Sequence, residues 1–183
     1  MRVIAGKAKR INLNAPAGMD TRPTTDRIKE TLFNMIQDEL YEINFLDLFA
    51  GSGGIGIEAL SRGAKKAYFV ENNRHACEVI KDNLIRTHLD ESASVLNMTS
   101  IAAVKNLSGK ERFHVVFMDP PYGKDLEKQV MSDSSFINIL EDKALVIVEA
   151  DLDTSLSDED CPGLRILKEK IYKTNKHIFL EKC

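Results

Sequence analysis

No apolar run in the 183-residue chain approaches the roughly 20 residues that a bilayer-spanning helix needs. Met1-Arg2-Val3 leads into polar residues where a signal peptide would carry its apolar core. A soluble, cytoplasmic protein is therefore expected. Cysteine is scarce: Cys77, Cys161 and Cys183 are odd in number and widely spaced, which argues against a disulfide framework and forms no metal-ligand pattern. The four histidines, His75, His88, His114 and His177, are equally scattered. No metal site is expected and no histidine is assigned chemistry. With no internal repeat or low-complexity tract, the length suits one main domain with a small extension.

Negative charge dominates the total but not its distribution. The net charge is −3, yet residues 1–30 hold Arg2, Lys7, Lys9, Arg10, Arg22, Arg27 and Lys29 against Asp20, Asp26 and Glu30. A basic arm on an acidic body is the asymmetry expected when one end meets phosphate.

What is present is organised around Phe45 to Leu60. A short apolar run broken by Asp47 passes through Phe49, Ala50, Gly51, Ser52, Gly53 and Gly54 into a helical pattern at Ile55, Ile57, Ala59 and Leu60. A strand, a glycine turn and a helix N-terminus form a nucleotide-type site. Gly51, Gly53 and Gly56 satisfy the dinucleotide pattern, whose pyrophosphate rests on the helix. Asp47 would repel that anion and would suit an ammonium group instead. Glu71 closes the next apolar run about 20 residues on, where such folds place a carboxylate on ribose hydroxyls. Together they favour a cationic, ribose-bearing cofactor such as S-adenosylmethionine.

Along the chain, residues 2–13 read as a short basic hairpin. Ile28, Leu32, Phe33, Ile36 and Leu40 then give an amphipathic helix capped by Thr24, Thr25 or Asp26. Strands are expected at 45–49, 67–71, 94–97, 114–118 and 144–149, alternating with helices at 54–62, 73–88 and 100–107. Such β-α repetition means a mostly parallel sheet covered on both faces, an α/β Rossmann-like fold. Residues 164–171 and 177–180 read as a closing antiparallel hairpin.

The most specific signal follows strand 114–118: Asp119-Pro120-Pro121-Tyr122. Two prolines fix φ and remove donors, leaving carbonyl acceptors in a rigid turn beside a carboxylate and an aromatic ring. That set fits a planar base with an exocyclic amino group, Asp119 and a proline carbonyl each accepting one N–H while Tyr122 stacks on the ring.

On these residues the chain resembles the class I S-adenosylmethionine-dependent methyltransferases, and among them the RsmD-type family that methylates a guanine N2 amine of 16S ribosomal RNA. The resemblance rests on Arg2 to Gly6, Arg22 to Asn34, Asp47 to Ala59, Arg62-Gly63-Ala64, Glu71-Asn72 and Asp119 to Tyr122. It implies a seven-stranded sheet with the last strand antiparallel, built as a methyltransferase domain over 21–183 with a basic arm at 1–20. It also implies that Asp47, Phe49, Ala50, Gly51, Ser52, Gly53 and Thr24 line the methionine end of the cofactor, with Glu71 and Asn72 at the ribose. At the position where relatives hold the adenine amine stand Asn97, Met98 and Thr99. Arg2, Lys7, Lys9, Arg10, Arg22 and Arg27 are the expected RNA contacts, and the expected partner is 16S rRNA in an assembled or assembling small subunit, met by a monomer. Lys173 replaces the glycine common in the last turn. Alternatives from the same chemistry are a DNA adenine-N6 or protein glutamine methyltransferase. A non-catalytic cofactor-sensing assembly module and a nicotinamide oxidoreductase are the others.

Overall fold

A computed structural model describes residues 1–16 and 26–183. Its centre is a seven-stranded sheet in the order β3-β2-β1-β4-β5-β7-β6. The strands are β1 Asn44–Asp47, β2 Lys66–Glu71, β3 Ala93–Asn97, β4 Phe113–Met118, β5 Leu140–Ala150, β6 Leu164–Ile171 and β7 Lys176–Lys182. β1 to β5 run parallel, and β7 inserts antiparallel between β5 and β6. Rossmann-like α/β topology with an antiparallel closing strand is thus the observed architecture. Helices α1 Asp26–Met35, α2 Gly54–Ser61, α3 Arg74–Thr87, α4 Ser100–Leu107, α5 Leu126–Ser132 and α6 Ser134–Asn138 complete it. Among the described residues no helix is long and apolar enough to cross a membrane.

Each face of the sheet carries its own core. Phe45, Phe69, Phe117 and Phe179 belong to a cluster with Leu32 and Phe33 of α1, Ile57 and Leu60 of α2, and Ile80 of α3. Leu46, Tyr68, Val116 and Val146 point the other way and pack with Val104, Val130 and Phe136 of α4 to α6. This is the period-two alternation of a sheet buried on both faces. α2 is buried along its whole length, which explains its lack of a polar stripe. Its Gly56 is a packing requirement, because a Cβ there would stand 2.3 Å from the Phe69 ring.

Several boundaries differ from the sequence reading. The helix expected through Leu40 stops at Met35 and continues as a 3₁₀ turn over Gln37–Glu39, which seats Leu40 fully buried. Helix 73–88 is α3 with its caps counted in. Asn73 accepts from the His75 and Ala76 amides at 2.9 and 3.2 Å, and His88 ends the helix in the left-handed region. β5 begins four residues before 144, with a register break at Phe113/Val115 and a left-handed Lys143. The polar triplet Glu141-Asp142-Lys143 hides that start. α5 and α6 were not expected, being short and separated by polar residues. Thr24, Thr25 and Arg22 lie outside the described residues.

The expected N-terminal hairpin is present: Val3 N donates to Ile11 O (2.9 Å), Arg10 N to Val3 O (2.9 Å) and Leu13 N to Met1 O (3.0 Å) around one antiparallel bridge, Arg2 to Asn12, while donors nearer its tip go to α2. Glu58 of α2 accepts from the amides of Ile4 (2.8 Å) and Ala5 (3.0 Å), and Ser61 Oγ accepts from Ala8 (3.0 Å) while donating to the Ala5 carbonyl at 2.6 Å. Glu58 also meets Arg62 Nε at 2.8 Å and the fully buried Lys29 Nζ at 3.4 Å, and Lys29 donates to the Arg2 carbonyl at 2.6 Å. Burial lowers the Lys29 pKa, and Glu58 opposes that. The arm is stitched to the helix that follows the glycine loop. Gly6 has φ +80°, and a Cβ would fall 1.8 Å from the Ser61 carbonyl oxygen. Gly6→Ala should therefore cost about 2 kcal/mol or more, read as a lowered thermal midpoint; an unchanged midpoint would show that the arm is not held as described.

Candidate active site

Strand register decides where the acidic residues meet. Asp47 of β1 pairs with Phe69 and with Phe117, and Phe117 pairs with Ile147 of β5. Two residues further along, on the same face by alternation, stand Glu71, Asp119 and Glu149. Three carboxylates thus line the carboxyl ends of β2, β4 and β5, with Asp47 one layer below them in an otherwise apolar row. This is the edge where open α/β sheets bind ligands.

Asp47 is buried, and its Oδ2 accepts from the Gly56 amide at 3.3 Å. Among the described residues Oδ1 has no hydrogen-bond partner. Burial pushes its pKa up to about 7, the Gly56 and Phe49 amides pull it back, and Glu71 adds to the rise. A buried carboxylate with an orphaned oxygen beside a glycine loop is a socket for a cationic donor. The loop leaves room for one, since nothing lies within 4 Å of where a Gly51 Cβ would be.

Glu71 holds that loop from the next strand. Its Oε2 accepts from the Gly51 amide at 3.0 Å and its Oε1 from the Asn73 amide at 2.8 Å. Asn83 of α3 fastens the loop from below, donating to the carbonyls of Ser52 and Asn14 at 2.9 Å and accepting from the Asn14 amide at 2.8 Å. Asn97 Nδ2 donates to the Glu71 and Asn72 carbonyls at 3.0 and 3.1 Å. Thr99 caps α4 through the Ala102 amide at 3.3 Å, and the Met98 amide donates to Glu71 O at 3.2 Å. Phe49, Ala50, Ser52 and Gly53 belong to the loop itself, where Ala50 N donates to Val70 O at 2.9 Å and Gly53 N to Ala50 O at 2.7 Å, and Asn72 follows Glu71 in the chain.

Past the end of β4, Asp119 is half-buried, Pro120 buried and Pro121 exposed, while Tyr122 is 44% exposed. Burial holds the Asp119 carboxyl well above the usual carboxylate range, and the charges of Glu149 and then Asp47 push the same way. Pro120, Tyr122 and Glu149 line a cavity of about 290 Å³. A larger cleft of about 580 Å³ lies around Asn44, Ser108 and Glu141 at the opposite, amino end of the strands, away from every group described above.

Sequence reasoning passed over Glu149 and His177. Glu149, 5% exposed, sits directly across from His177 in the β5–β7 ladder. His177 Nε2 lies 3.1 Å from Glu149 Oε2, Tyr172 Oη lies 3.2 Å from His177 Nδ1, and Asn175 Nδ2 donates to Glu149 Oε1 at 2.5 Å. Burial and then Glu149 push the Tyr172 pKa up to about 12, so its hydroxyl stays protonated. The only sequence signal was an acid closing the apolar run 144–148, as Glu71 closes its own. The turn at Lys173 has no positive φ, so the missing glycine costs nothing.

The model of the family described as conserved hypothetical protein 95 matches residues 1–181. The chain belongs to this family. It is 38% identical over 171 residues to the Haemophilus influenzae ribosomal RNA small subunit methyltransferase D, covering 93% of this chain and 88% of that protein. The Escherichia coli (strain K12) protein of the same name is 36% identical over 157 residues, covering 85% and 77%. A solved Haemophilus influenzae structure, named there a candidate methylase, superposes with a TM-score of 0.82 at 33% identity, covering 100% of this chain and 98% of its own.

Of the basic residues, Arg2, Lys7, Lys9, Arg10 and Arg27 are all exposed. Arg2 Nε pairs with Asp26 at 3.1 Å, which ties the arm to the start of α1.

Proposed function

We propose that this chain methylates the exocyclic N2 amine of a guanine in 16S rRNA, acting as a cytoplasmic monomer without a metal on the assembled or assembling small ribosomal subunit. The observation that carries the reading is the Asp119-Pro120-Pro121-Tyr122 turn at the carboxyl end of β4, beside a glycine loop and a buried Asp47 that suit a cationic cofactor. S-adenosylmethionine, when bound, supplies an electrophilic methyl on a sulfonium.

The chain's own residues supply position and charge. Asp47 pairs with the cofactor ammonium, and Phe49 to Gly53, with Thr24, surround the methionine end. Glu71 offers its remaining lone pairs to the ribose hydroxyls beside Asn72, while Asn97, Met98 and Thr99 border the adenine. Asp119 and the Pro120 carbonyl accept the two N–H groups of the amine and aim its lone pair; Tyr122 covers the face of the base. The raised pKa of Asp119 suits a group that takes the proton the amine sheds. Arg2, Lys7, Lys9, Arg10, Arg22 and Arg27 engage RNA phosphates, contacts that position without specifying.

The test supplies labelled methyl donor and small subunits from cells lacking this protein, followed by mapping of the modified nucleoside. N2-methylguanosine is expected; N6-methyladenosine or no RNA label would overturn the assignment. Because the arm provides partners to Glu58, deleting it would disturb α2 as well as RNA binding. Converting Lys7, Lys9 and Arg10 to Gln is the cleaner perturbation. It should flatten the salt dependence of subunit binding by about two to three in log–log slope with the melting curve unchanged, and an unchanged slope would remove the arm from the interface.

Glu71→Gln should weaken cofactor binding by about 10-fold, because an amide nitrogen replaces one of the two oxygens that accept from Gly51 and Asn73 and that face the ribose. Calorimetric affinity within twofold of wild type would take Glu71 off the ribose.

A further inference from the structure

Glu149 is built into the site at a cost that packing does not explain. It stands level with Asp119 on the neighbouring strand, since Met118 pairs with Val148 and adjacent strands lie about 4.8 Å apart. Two nearby carboxylates repel, and Glu149 is the strongest charge acting on Asp119. Among the described residues no Lys or Arg bridges them; the near neighbour of Glu149 is the His177 imidazole, 3.1 Å away. A structural carboxylate would be expected to carry a cation between the two. Instead, Glu149 is held from behind on both oxygens by Asn175 and His177, with Tyr172 fixing the imidazole, and its front lines the cavity with Pro120 and Tyr122.

The cavity rim adds Asp125, Glu127, Asp151 and Asp153 against a single Lys128, which itself reaches Asp160 at 3.6 Å. An acidic mouth turns phosphate away and accepts a base presenting hydrogen-bond donors. On guanine the amine that Asp119 would hold is adjacent to a second donor, the ring N1–H. On adenine the ring nitrogen beside the amine is an acceptor, which a carboxylate repels.

We propose that Glu149 is a specificity-determining residue that accepts the ring N1–H of the target guanine while Asp119 and the Pro120 carbonyl hold its N2 amine. Each Glu149 oxygen spends one lone pair on Asn175 or His177 and keeps another for the base. A site built to accept a hydrogen bond rejects an analogue lacking that hydrogen far more strongly than an apolar pocket rejects a shape change. The Asn175–His177–Tyr172 set keeps the carboxylate from swinging onto Asp119.

This inference rests on the guanine-N2 reading above, and its test separates the two. Small subunits are reconstituted with 16S rRNA carrying either guanine or 2-aminopurine at the mapped position; 2-aminopurine keeps the amine but has no hydrogen on N1. Wild-type enzyme should prefer guanine on the order of 100-fold in kcat/KM. In Glu149→Gln, whose amide can donate to N1, that preference should collapse to a few-fold, with cofactor affinity by calorimetry and the melting curve close to wild type. Equal wild-type rates on the two bases would overturn the role of Glu149 while leaving guanine-N2 methylation standing. Absence of N2-methylguanine with guanine in place would instead overturn the underlying reading. A variant that loses activity on both bases equally would assign Glu149 to the scaffold and sink the proposal. The wild-type comparison needs no variant, so a poorly folding Glu149→Gln leaves the proposal open to refutation.

Discussion

Asp119→Ala should lose methyl transfer by about 10²- to 10⁴-fold while binding the cofactor within about threefold of wild type. The asymmetry follows from position. Asp119 follows β4 beside Pro120 and the base cavity, whereas the cofactor's ammonium, ribose and adenine are assigned to β1, β2 and β3. The substitution removes an acceptor for the amine and the proton's destination together. Asp119→Asn separates them, since it keeps a carbonyl acceptor but cannot take the proton, and it should retain more activity than Ala. Relief of charge repulsion should also make both variants slightly more stable than wild type above neutral pH, because the native Asp119 pKa is raised. Single-turnover transfer to small subunits and cofactor calorimetry measure the split. Turnover within tenfold of wild type in Asp119→Ala would remove the residue from the chemistry; a matching loss of cofactor affinity would move it to the cofactor site.

Asp47→Asn should do the reverse, and its signature is pH dependence. The native carboxyl has its pKa raised from 3.8 to about 7, so between those values the folded protein keeps a proton that the unfolded chain has shed. Stability from this residue is therefore full below about pH 4, declines as pH rises to about 7, and is flat above. The whole decline is about 4 kcal/mol at 1.36 kcal/mol per pH unit. Asparagine carries no charge, so the ligand-free variant should be more stable than wild type at pH 8, by about 2–4 kcal/mol, with no such decline. Cofactor binding wants the ionised form. Wild-type affinity should rise about tenfold per pH unit below 7 and level off above it, until an ammonium of ordinary pKa near 8 begins to lose its own proton. Asp47→Asn should bind at least about 100-fold more weakly at pH 7.5 through the lost ion pair and show no rise below 7. Parallel pH profiles for the two proteins would exclude Asp47 as the ammonium's partner.

Both residues were legible in the sequence because their signals are local. A carboxylate breaking an apolar run that leads into glycines, and a carboxylate ahead of two prolines and a tyrosine, each fit inside a short window. Glu149 and His177 were not, because they are 28 residues apart and acquire meaning only when β7 inserts next to β5. No periodicity in either segment announces that pairing. The N-terminal hairpin was legible, but its attachment to α2 was not. Its alternation of Val3, Ile4, Ile11 and Leu13 is real, and Val3 and Leu13 are buried, but alternation reports burial and not where backbone donors go. Here Ile4, Ala5, Lys7 and Ala8 donate to Glu58 and Ser61, a choice made by a helix some fifty residues away. The short helices α5 and α6 stayed hidden because seven and five residues hold too little of a 3.6-residue period to show one.

The stitching of that arm also sets an order of events during synthesis. Ile4 and Ala5 wait for Glu58, 54 and 53 residues downstream, and Asn14 waits for Asn83, 69 residues downstream. Until those partners have left the exit tunnel, the basic arm has nothing to fold onto, and closing loops of that length is an entropic cost that the later contacts must offset. Chains halted before Glu58 emerges should therefore show residues 1–13 to an added protease, and chains released past Asn83 should hide them, so that the first segment made waits for partners made well after it.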